Sequence, residues 1–361
     1  MKSKVLYIGS KIIKPSSGAD QVNRRNQLLL ESLCEVSYLP FEGGLFPKLF
    51  LCCTNKYLNT VDTKMEDVDF EYVFIQQSLY GRVCCHIKKR YPKVKIIVFF
   101  HNIEIQYATE YMKTNGLKAL PFYFVVKYWE KYCCQFADFC ITLNSRDSRL
   151  LKNIYGRNAD LELPTSFPDL YNEEKANCEL DDKLTPVIDY LFVGISFFAN
   201  VEAVQWFIDN VMPNIDGHFY VVGKGMDNVA FKNVTERVHI HGYVEDLSSY
   251  YYRAKYVVSP IHVGGGMKTK TAEALMYGKT ILGSKEAFEG YEVDNRCMMV
   301  CESADDYVKS IAEGGSINNK YSRSLFLNHY CDTVIRNKFN VFFNRNIIYE
   351  TYMRPSARQR E

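Results

Sequence analysis

Ser259-Pro-Ile-His-Val-Gly-Gly-Gly-Met-Lys-Thr-Lys-Thr-Ala-Glu-Ala-Leu-Met-Tyr-Gly278 is the stretch on which the fold turns. It follows Tyr256-Val-Val258, an apolar run that reads as a buried strand. Gly264, Gly265 and Gly266 remove the side chain from three consecutive positions. Beyond them Met267, Thr271, Ala274 and Leu275 recur at the spacing of one helix face, and Gly278 stands where such a helix ends. A strand, a glycine loop and a helix start make an anion site. Glycine lets the backbone approach a phosphate, and the first helical turn points free N–H groups at it. Lys268 and Lys270 add positive charge, and Glu273, a turn further on, can accept hydrogen bonds from hydroxyls. The ligand so described carries both a diphosphate and a sugar.

Two other readings use the same residues. The glycines can form only a tight turn, with the lysines on a solvated helix face. Alternatively, Gly264, Lys270 and Thr271 fit the P-loop pattern G-x-x-x-x-G-K-[ST]. Thr269, however, occupies the place of its second glycine, and a β-branched residue is a poor substitute where the loop needs positive φ. A nucleoside triphosphatase is disfavoured on that ground.

Outward from this stretch, strands alternate with helices. Thr280-Ile-Leu-Gly283 and Met298-Met-Val300 follow it, with helices from Ser303 onward. Before it come Tyr190-Leu-Phe-Val-Gly194, Phe219-Tyr-Val-Val-Gly223 and Val238-His-Ile-His-Gly242, with helices over 201–211 and 246–253. Residues 162–186 are polar, hold three prolines and read as a linker. A second alternation precedes them. Its strands are Lys4-Val-Leu-Tyr-Ile8, Glu35-Val-Ser-Tyr-Leu39, Tyr72-Val-Phe-Ile75, Lys95-Ile-Ile-Val-Phe-Phe100 and a run over 138–143. Its helices start near Gln21, Val83, Leu120 and Ser145. Such alternation means parallel α/β sheets. The expected architecture is two doubly wound, Rossmann-like domains facing a central cleft, over 1–170 and 186–336. Such pairs bind ligands at the carboxyl ends of their strands.

At 361 residues the chain has room for two domains, and 47% hydrophobic with 24% charged residues is ordinary for a globular protein. A net charge of +2 gives no bulk signal for nucleic acid. Positive charge is local, in Lys88-Lys-Arg-Tyr-Pro-Lys-Val-Lys95, which reads as a solvated surface or as a face for an anionic membrane. Twelve cysteines include adjacent pairs at 52–53, 84–85 and 133–134 but no C-x-x-C. They read as small apolar residues in a reducing compartment, neither disulfides nor metal ligands. The chain enters its first strand without a signal-peptide pattern, and no apolar run reaches transmembrane length. The expected location is cytoplasmic, with room for association at the inner face of a membrane.

The second half resembles family 4 (group 1) glycosyltransferases of the GT-B fold. The resemblance is carried by Phe192-Val-Gly194, Asn200-Val-Glu-Ala203, Val222-Gly-Lys-Gly225, Val238-His-Ile-His-Gly-Tyr-Val-Glu-Asp246, the loop from Gly264 to Glu273, and Ala287-Phe-Glu-Gly290. The first half is similar more loosely, through Gly18 and His101-Asn-Ile-Glu104. The resemblance implies a retaining transferase with a UDP- or GDP-sugar as co-substrate, no tightly bound cofactor, and a glycan or lipid-linked acceptor. It places the donor on Gly194, Asn200, Gly223, Lys224, Gly264, Gly265, Gly266, Met267, Lys268, Lys270, Thr271 and Glu273. Glu273 matches the carboxylate that holds the ribose hydroxyls. The acceptor side falls to Gly18, Asn102 and Glu104. It also implies that a final helix over 337–353 crosses back onto the first domain, with an aromatic stripe of Phe339, Phe342, Phe343, Ile347, Ile348 and Tyr352.

There are departures. Many relatives carry a second glutamate where Gly265 stands, and an Arg and a Lys where residues 195–199 offer neither. They leave the diphosphate on fewer cations and keep open a degenerate, non-catalytic binder. A nucleotide-sugar 2-epimerase-like enzyme with the same folds is the other alternative.

Glycosyl transfer puts negative charge on the leaving diphosphate, so cations and N–H donors must await it. Lys268 and Lys270 are the candidates in the second half. No Asp-x-Asp run ends a strand there, and the expectation is a metal-independent reaction. His101 ends a strand and is the catalytic candidate of the first half, suited to bonding a donor-sugar hydroxyl; it equally reads as a loop histidine bonded to backbone. His239 and His241 alternate along one strand and are expected on one wet face, Trp206 is expected in the core, and Glu289 is a lesser candidate near the donor.

Overall fold

A computed structural model describes residues 2–15, 18–43, 53–181, 187–263 and 266–345. It divides into two compact units, Met1–Pro164 with Ile335–Glu361, and Thr165–Val334.

The first unit contains β1 (Lys4–Ile8), α1 (Gly18–Leu33), β2 (Glu35–Leu39), α2 (Asn55–Asp67), β3 (Tyr72–Ile75), α3 (Gly81–Arg90), β4 (Lys95–Phe100), α4 (Glu104–Asn115), α5 (Leu120–Phe136), β5 (Phe139–Thr142), α6 (Ser145–Tyr155) and β6 (Leu161–Glu162). The strands form one parallel sheet in the order β2-β1-β3-β4-β5-β6. Central strands such as Tyr72-Val-Phe-Ile75 are buried throughout, as a sheet covered on both faces requires.

The second unit contains α7 (Glu173–Asp181), β7 (Ile188–Val193), α8 (Phe198–Asn210), β8 (Phe219–Val222), β9 (Val238–His241), α9 (Ser248–Arg253), β10 (Ala254–Ser259), α10 (Thr269–Met276), β11 (Thr280–Gly283), β12 (Met298–Val300), α11 (Ala304–Ala312) and α12 (Lys320–Leu325). Its parallel sheet runs β12-β11-β10-β7-β8-β9. The last helix, α13 (Asp332–Phe343), begins in the second unit and ends in the first. There Phe342 meets the edge of Phe139 at 5.6 Å and Phe343 lies 5.6 Å from Tyr72. Ile347, Ile348 and Tyr352 fall outside the described residues.

Three helices depart from the sequence reading: α2 and α4 were not anticipated, and α7 lies inside the segment read as linker. Of the residues of α7 with described side chains, only Ala176 is buried, so no apolar stripe marks the helix. Polar contacts hold it instead: Lys175 to Asp246 at 2.8 Å and Ser249 to Glu179 at 2.8 Å.

In the basic run 88–95, three of the cations have acidic partners, while Lys89 and Lys93 are exposed. Lys88 donates to both oxygens of Asp138 at 2.8 Å, Lys95 lies 3.7 Å from Asp138, and Arg90 pairs with Glu66 at 2.9 Å. Every described cysteine is free, and most are buried. No described helix is long and apolar enough to cross a membrane.

Candidate donor site in the second unit and strand-end cluster in the first

In a doubly wound sheet the strand order reverses at one point, and the loops there part to leave a crevice. In the second unit that point lies between β7 and β10. Gly194 follows β7, and the glycine stretch follows β10. Gly194 and Gly223, at the ends of neighbouring strands, are packed backbone to backbone: a Cβ on Gly223 would fall 1.9 Å from the Gly194 carbonyl. A Cβ on Gly194 would fall 2.9 Å from both Lys270 Nζ and Asn200 Nδ2. Glycine is therefore a steric necessity at 223, and Gly194 makes the floor on which Lys270 lies.

Lys270 is in the first turn of α10 and half-buried. Its Nζ donates to Asn200 Oδ1 at 2.8 Å and sits 3.9 Å from the centre of the Phe192 ring. Asn200 is fixed in turn by donating to the Ile195 carbonyl at 2.9 Å. Burial, and then the charge of Lys268, push Lys270 down to about 7. Glu273, one turn along, accepts from the Tyr251 hydroxyl at 3.2 Å. Tyr251 is fully buried and stacks on Tyr277 at 4.8 Å, which sets the carboxylate's direction. Burial raises Glu273 to about 7, against the opposing effects of Tyr251 and Lys270.

Lys268 takes a different position. Its Nζ donates to Glu286 at 2.7 Å and to the Gly266 carbonyl at 3.0 Å. The Tyr291 hydroxyl donates to the Lys268 carbonyl at 2.6 Å. The Thr271 hydroxyl is buried and donates to the Ala287 carbonyl at 3.0 Å, so it ties α10 to the 284–290 segment. Met267 is buried, and Lys224 is exposed on the loop after β8. Gly266 has φ +67°, a conformation that favours glycine. The N-cap residue of α10, Lys268, makes no capping hydrogen bond with its side chain. Gly264 and Gly265 lie outside the described residues.

Among the other histidines, His239 and His241 are half-buried, and the Tyr220 ring lies 4.4 and 5.9 Å from them, so the two share a face. Trp206 is half-buried between His262, at 5.2 Å, and Tyr307, at 5.8 Å.

In the first unit the order reverses between β1 and β3. Gly9 follows β1 and Gln76 follows β3, and they lie so close that a Cβ on Gly9 would meet Gln76 Oε1 at 2.1 Å. His101, after β4, bonds through Nε2 to Asn23 Oδ1 at 2.7 Å; an amide oxygen only accepts, so His101 carries its proton on Nε2. Burial, and then Arg25, lower His101 to about 4, which keeps the ring neutral. Among the described residues, Asn102 Oδ1 and both amide atoms of the buried Asn26 find no hydrogen-bond partner. Glu104 is half-buried at the start of α4, and burial followed by the charges of Glu130 and Asp147 raises it to about 7. Gly18 is the first residue of α1.

Sequence reasoning missed the partners that aim these groups: Phe192 under Lys270, Tyr251 on Glu273, Glu286 on Lys268, and Asn23 on His101. It also missed Gln76 and the fully buried Glu130. Glu130 accepts from the backbone N–H groups of Glu104 and Ile105 at 2.8 and 3.1 Å and so caps α4 from a remote position. Glu286 had a signal, standing one residue before the quoted Ala287-Phe-Glu-Gly290. No group of three or more potential metal-ligating side chains occurs among the described residues.

Comparison with known proteins agrees with this arrangement. Residues 188–314 match the family model described as glycosyl transferases group 1. No curated protein matches the chain by sequence. Among solved structures, sucrose-phosphate synthase from Thermosynechococcus elongatus superposes with a TM-score of 0.75 at 13% identity, over 96% of this chain and 100% of that one. The Anabaena protein HepE in complex with UDP and glucose gives 0.59 at 14%, over 97% and 99%. A putative UDP-N-acetylglucosamine 2-epimerase from Listeria monocytogenes gives 0.55 at 11%, over 98% and 99%. At these identities the likeness establishes the fold: two Rossmann-like units of the GT-B class.

Proposed function

We propose that this chain, whose residues 188–314 belong to the group 1 glycosyltransferase family, transfers a sugar from a UDP- or GDP-sugar to a glycan or lipid-linked acceptor with retention of configuration. The observation that carries the reading is Lys270, held over the strand-end Gly194 at the topological switch point, beside a helix start whose N-cap residue makes no side-chain capping bond. A cation and free N–H groups at one place suit a diphosphate. Glu273, one turn away and aimed by Tyr251, suits the ribose hydroxyls. HepE, crystallised with UDP and glucose, supports a nucleotide-sugar ligand for this fold.

In this reading the diphosphate draws a proton to Lys270, whose own burial favours the neutral amine. The ammonium then offsets charge that grows as the bond to the anomeric carbon breaks. Lys268 acts at one remove, closing the loop through Glu286 and Gly266. His101, neutral and fixed by Asn23, offers a ring nitrogen to a sugar hydroxyl. The diphosphate oxygen takes the acceptor's proton, and neither a protein base nor a metal is part of the scheme.

The test is a thermal-shift screen of UDP- and GDP-sugars, followed by NMR of the anomeric configuration of the product with an added acceptor. A donor epimerised without acceptor would favour the epimerase reading. Binding with no turnover at all, hydrolysis included, would favour a non-catalytic binder.

A further inference from the structure

We infer that Tyr291 is a positioning residue of the proposed donor site, acting through the backbone at the start of α10; the inference rests on the donor reading above. Tyr291 is buried, and its hydroxyl donates to the Lys268 carbonyl at 2.6 Å. A buried phenol needs a partner for its hydroxyl. The partner here belongs to the N-cap residue of α10. The same carbonyl accepts from the Thr271 N–H at 3.0 Å, so it lies along the helix, toward its C-terminal end. In a planar trans peptide the N–H of the next residue points the opposite way. Holding the Lys268 carbonyl thus aims the Thr269 N–H out of the helix start, where an N–H has no intrahelical acceptor. Thr269 stands between Lys268 and Lys270 in the chain, so this N–H and both lysines belong to one turn. A phenylalanine at 291 would fill the same space and leave the peptide plane free to tilt.

Tyr291 takes its own place from the two ends of the second unit. Its ring lies 4.9 Å from that of the buried Tyr330, whose hydroxyl accepts from the Glu292 N–H at 2.8 Å. Tyr330 closes the π-helical turn Phe326–Tyr330, a form that recurs at functional sites. Its carbonyl accepts from the Phe167 N–H at 3.2 Å, and the Phe167 carbonyl accepts from the Asp332 N–H at 2.9 Å. The Ser166 hydroxyl donates to Asp332 Oδ1 at 2.6 Å. The segment that enters the unit and the segment that leaves it are thus tied to each other beside Tyr330. The far end of α10 has a separate anchor. Arg323 donates to the Met276 carbonyl and to both oxygens of Asp169, at 2.9 and 2.8 Å. Losing the Tyr291 bond therefore frees the first turn of α10 and leaves the helix in place.

The experiment compares UDP with uridine on the full chain, or GDP with guanosine if GDP is the nucleotide that raises the melting temperature. Titration calorimetry reads the diphosphate and ligand-observed NMR the nucleoside. Tyr291→Phe should weaken the diphosphate by about threefold to tenfold and leave the nucleoside unchanged, because only the phosphates meet the Thr269 N–H. Tyr330→Phe leaves the Glu292 N–H without its acceptor and should act in the same direction by a smaller factor. It carries the test if Tyr291→Phe does not fold. Diphosphate affinity equal to wild type in the folded variants overturns the inference. An equal loss for diphosphate and nucleoside overturns it too, and assigns Tyr291 to packing alone. Wild-type protein that binds neither diphosphate removes the donor reading and this inference with it. Wild-type binding beside an undiminished Tyr291→Phe variant removes this inference and leaves the donor reading standing.

Discussion

The two switch points are built from different materials. In the second unit the residues are charged and half-buried: Lys270 on Asn200, Lys268 on Glu286, Glu273 on Tyr251. In the first unit amides and a neutral imidazole predominate, with the buried Arg25 beside them: Gln76 against Gly9, His101 on Asn23, and the amides of Asn26 and Asn102. Charges held out of water gain most from a charged ligand, whereas amides and imidazole lose least when they exchange one neutral partner for another. Under the proposed function the contrast amounts to a division of labour, with ionic recognition in one unit and hydroxyl recognition in the other.

The largest expected effect separates the units by stability. Phe343→Ala removes a nearly fully buried ring from the first unit and should cost about 3–5 kcal/mol of its stability, while the UDP-induced shift of the second unit persists in calorimetry. If UDP binding is lost along with the first unit, the division fails.

The next test sets one residue of each switch point against the other. Lys270→Ala should lower turnover by about 10²–10³-fold and weaken UDP binding as well. His101→Ala should lower turnover with UDP affinity unchanged, measured by steady-state kinetics beside titration calorimetry. Equal loss of UDP affinity in both variants would erase the distinction.

Glu273→Gln keeps the shape of the side chain and removes its charge, and should weaken UDP binding by roughly 1–3 kcal/mol without unfolding the protein. Unchanged affinity by calorimetry would take Glu273 out of the site.

The pH profile follows from two opposed shifts. Lys270 is lowered to about 7, so the free site binds fewer protons than a free lysine would, and a diphosphate must restore one above that pH. Glu273 is raised to about 7, so a site that needs its carboxylate weakens as the pH falls. UDP affinity should be bell-shaped with its maximum near neutrality, each limb falling by up to about tenfold per pH unit. Lys270→Ala should abolish the alkaline limb alone. For the free protein the signs are the reverse of a stabilising pair. Lys270 costs stability that returns as pH rises from about 7 toward the ordinary lysine range. Glu273 costs stability that returns as pH falls from about 7 toward the ordinary carboxylate range.

The smallest expected effect is none: turnover should survive EDTA. A loss that magnesium or manganese restores would show that the cations of the second unit are not sufficient.

How much of this was legible varies with the range of the interaction. The strand–glycine–helix unit around Gly266 could be read because its signals are local: an apolar run, glycines, and a helical period. Two α/β alternations followed from the same kind of pattern. The α4 helix could not be read in this way, since the group that caps it, Glu130, comes from the next helix and is buried out of sequence register with it. The α7 helix failed for another reason, being held by polar contacts to α9 and its approach rather than by a stripe. The lysines were legible as cations, but not which one would be closed off. Glu286 decides that, and only folding brings it to Lys268. Gln76 matters through its closeness to Gly9, a contact made by strand order alone.

The path of α13 bears on how the protein is made. The first unit is discontinuous: its sheet is complete by Glu162, but the part of α13 that belongs to it, from Ile335, is encoded after the second unit. During synthesis the surface around Tyr72 and Phe139 must wait for Phe342 and Phe343 while the intervening residues leave the ribosome. A nascent chain released at Pro164 would carry that apolar surface uncovered. The second unit can therefore finish before the first, and a chain terminated before α13 is expected to expose the Tyr72 and Phe139 surface and to aggregate more readily than the full chain.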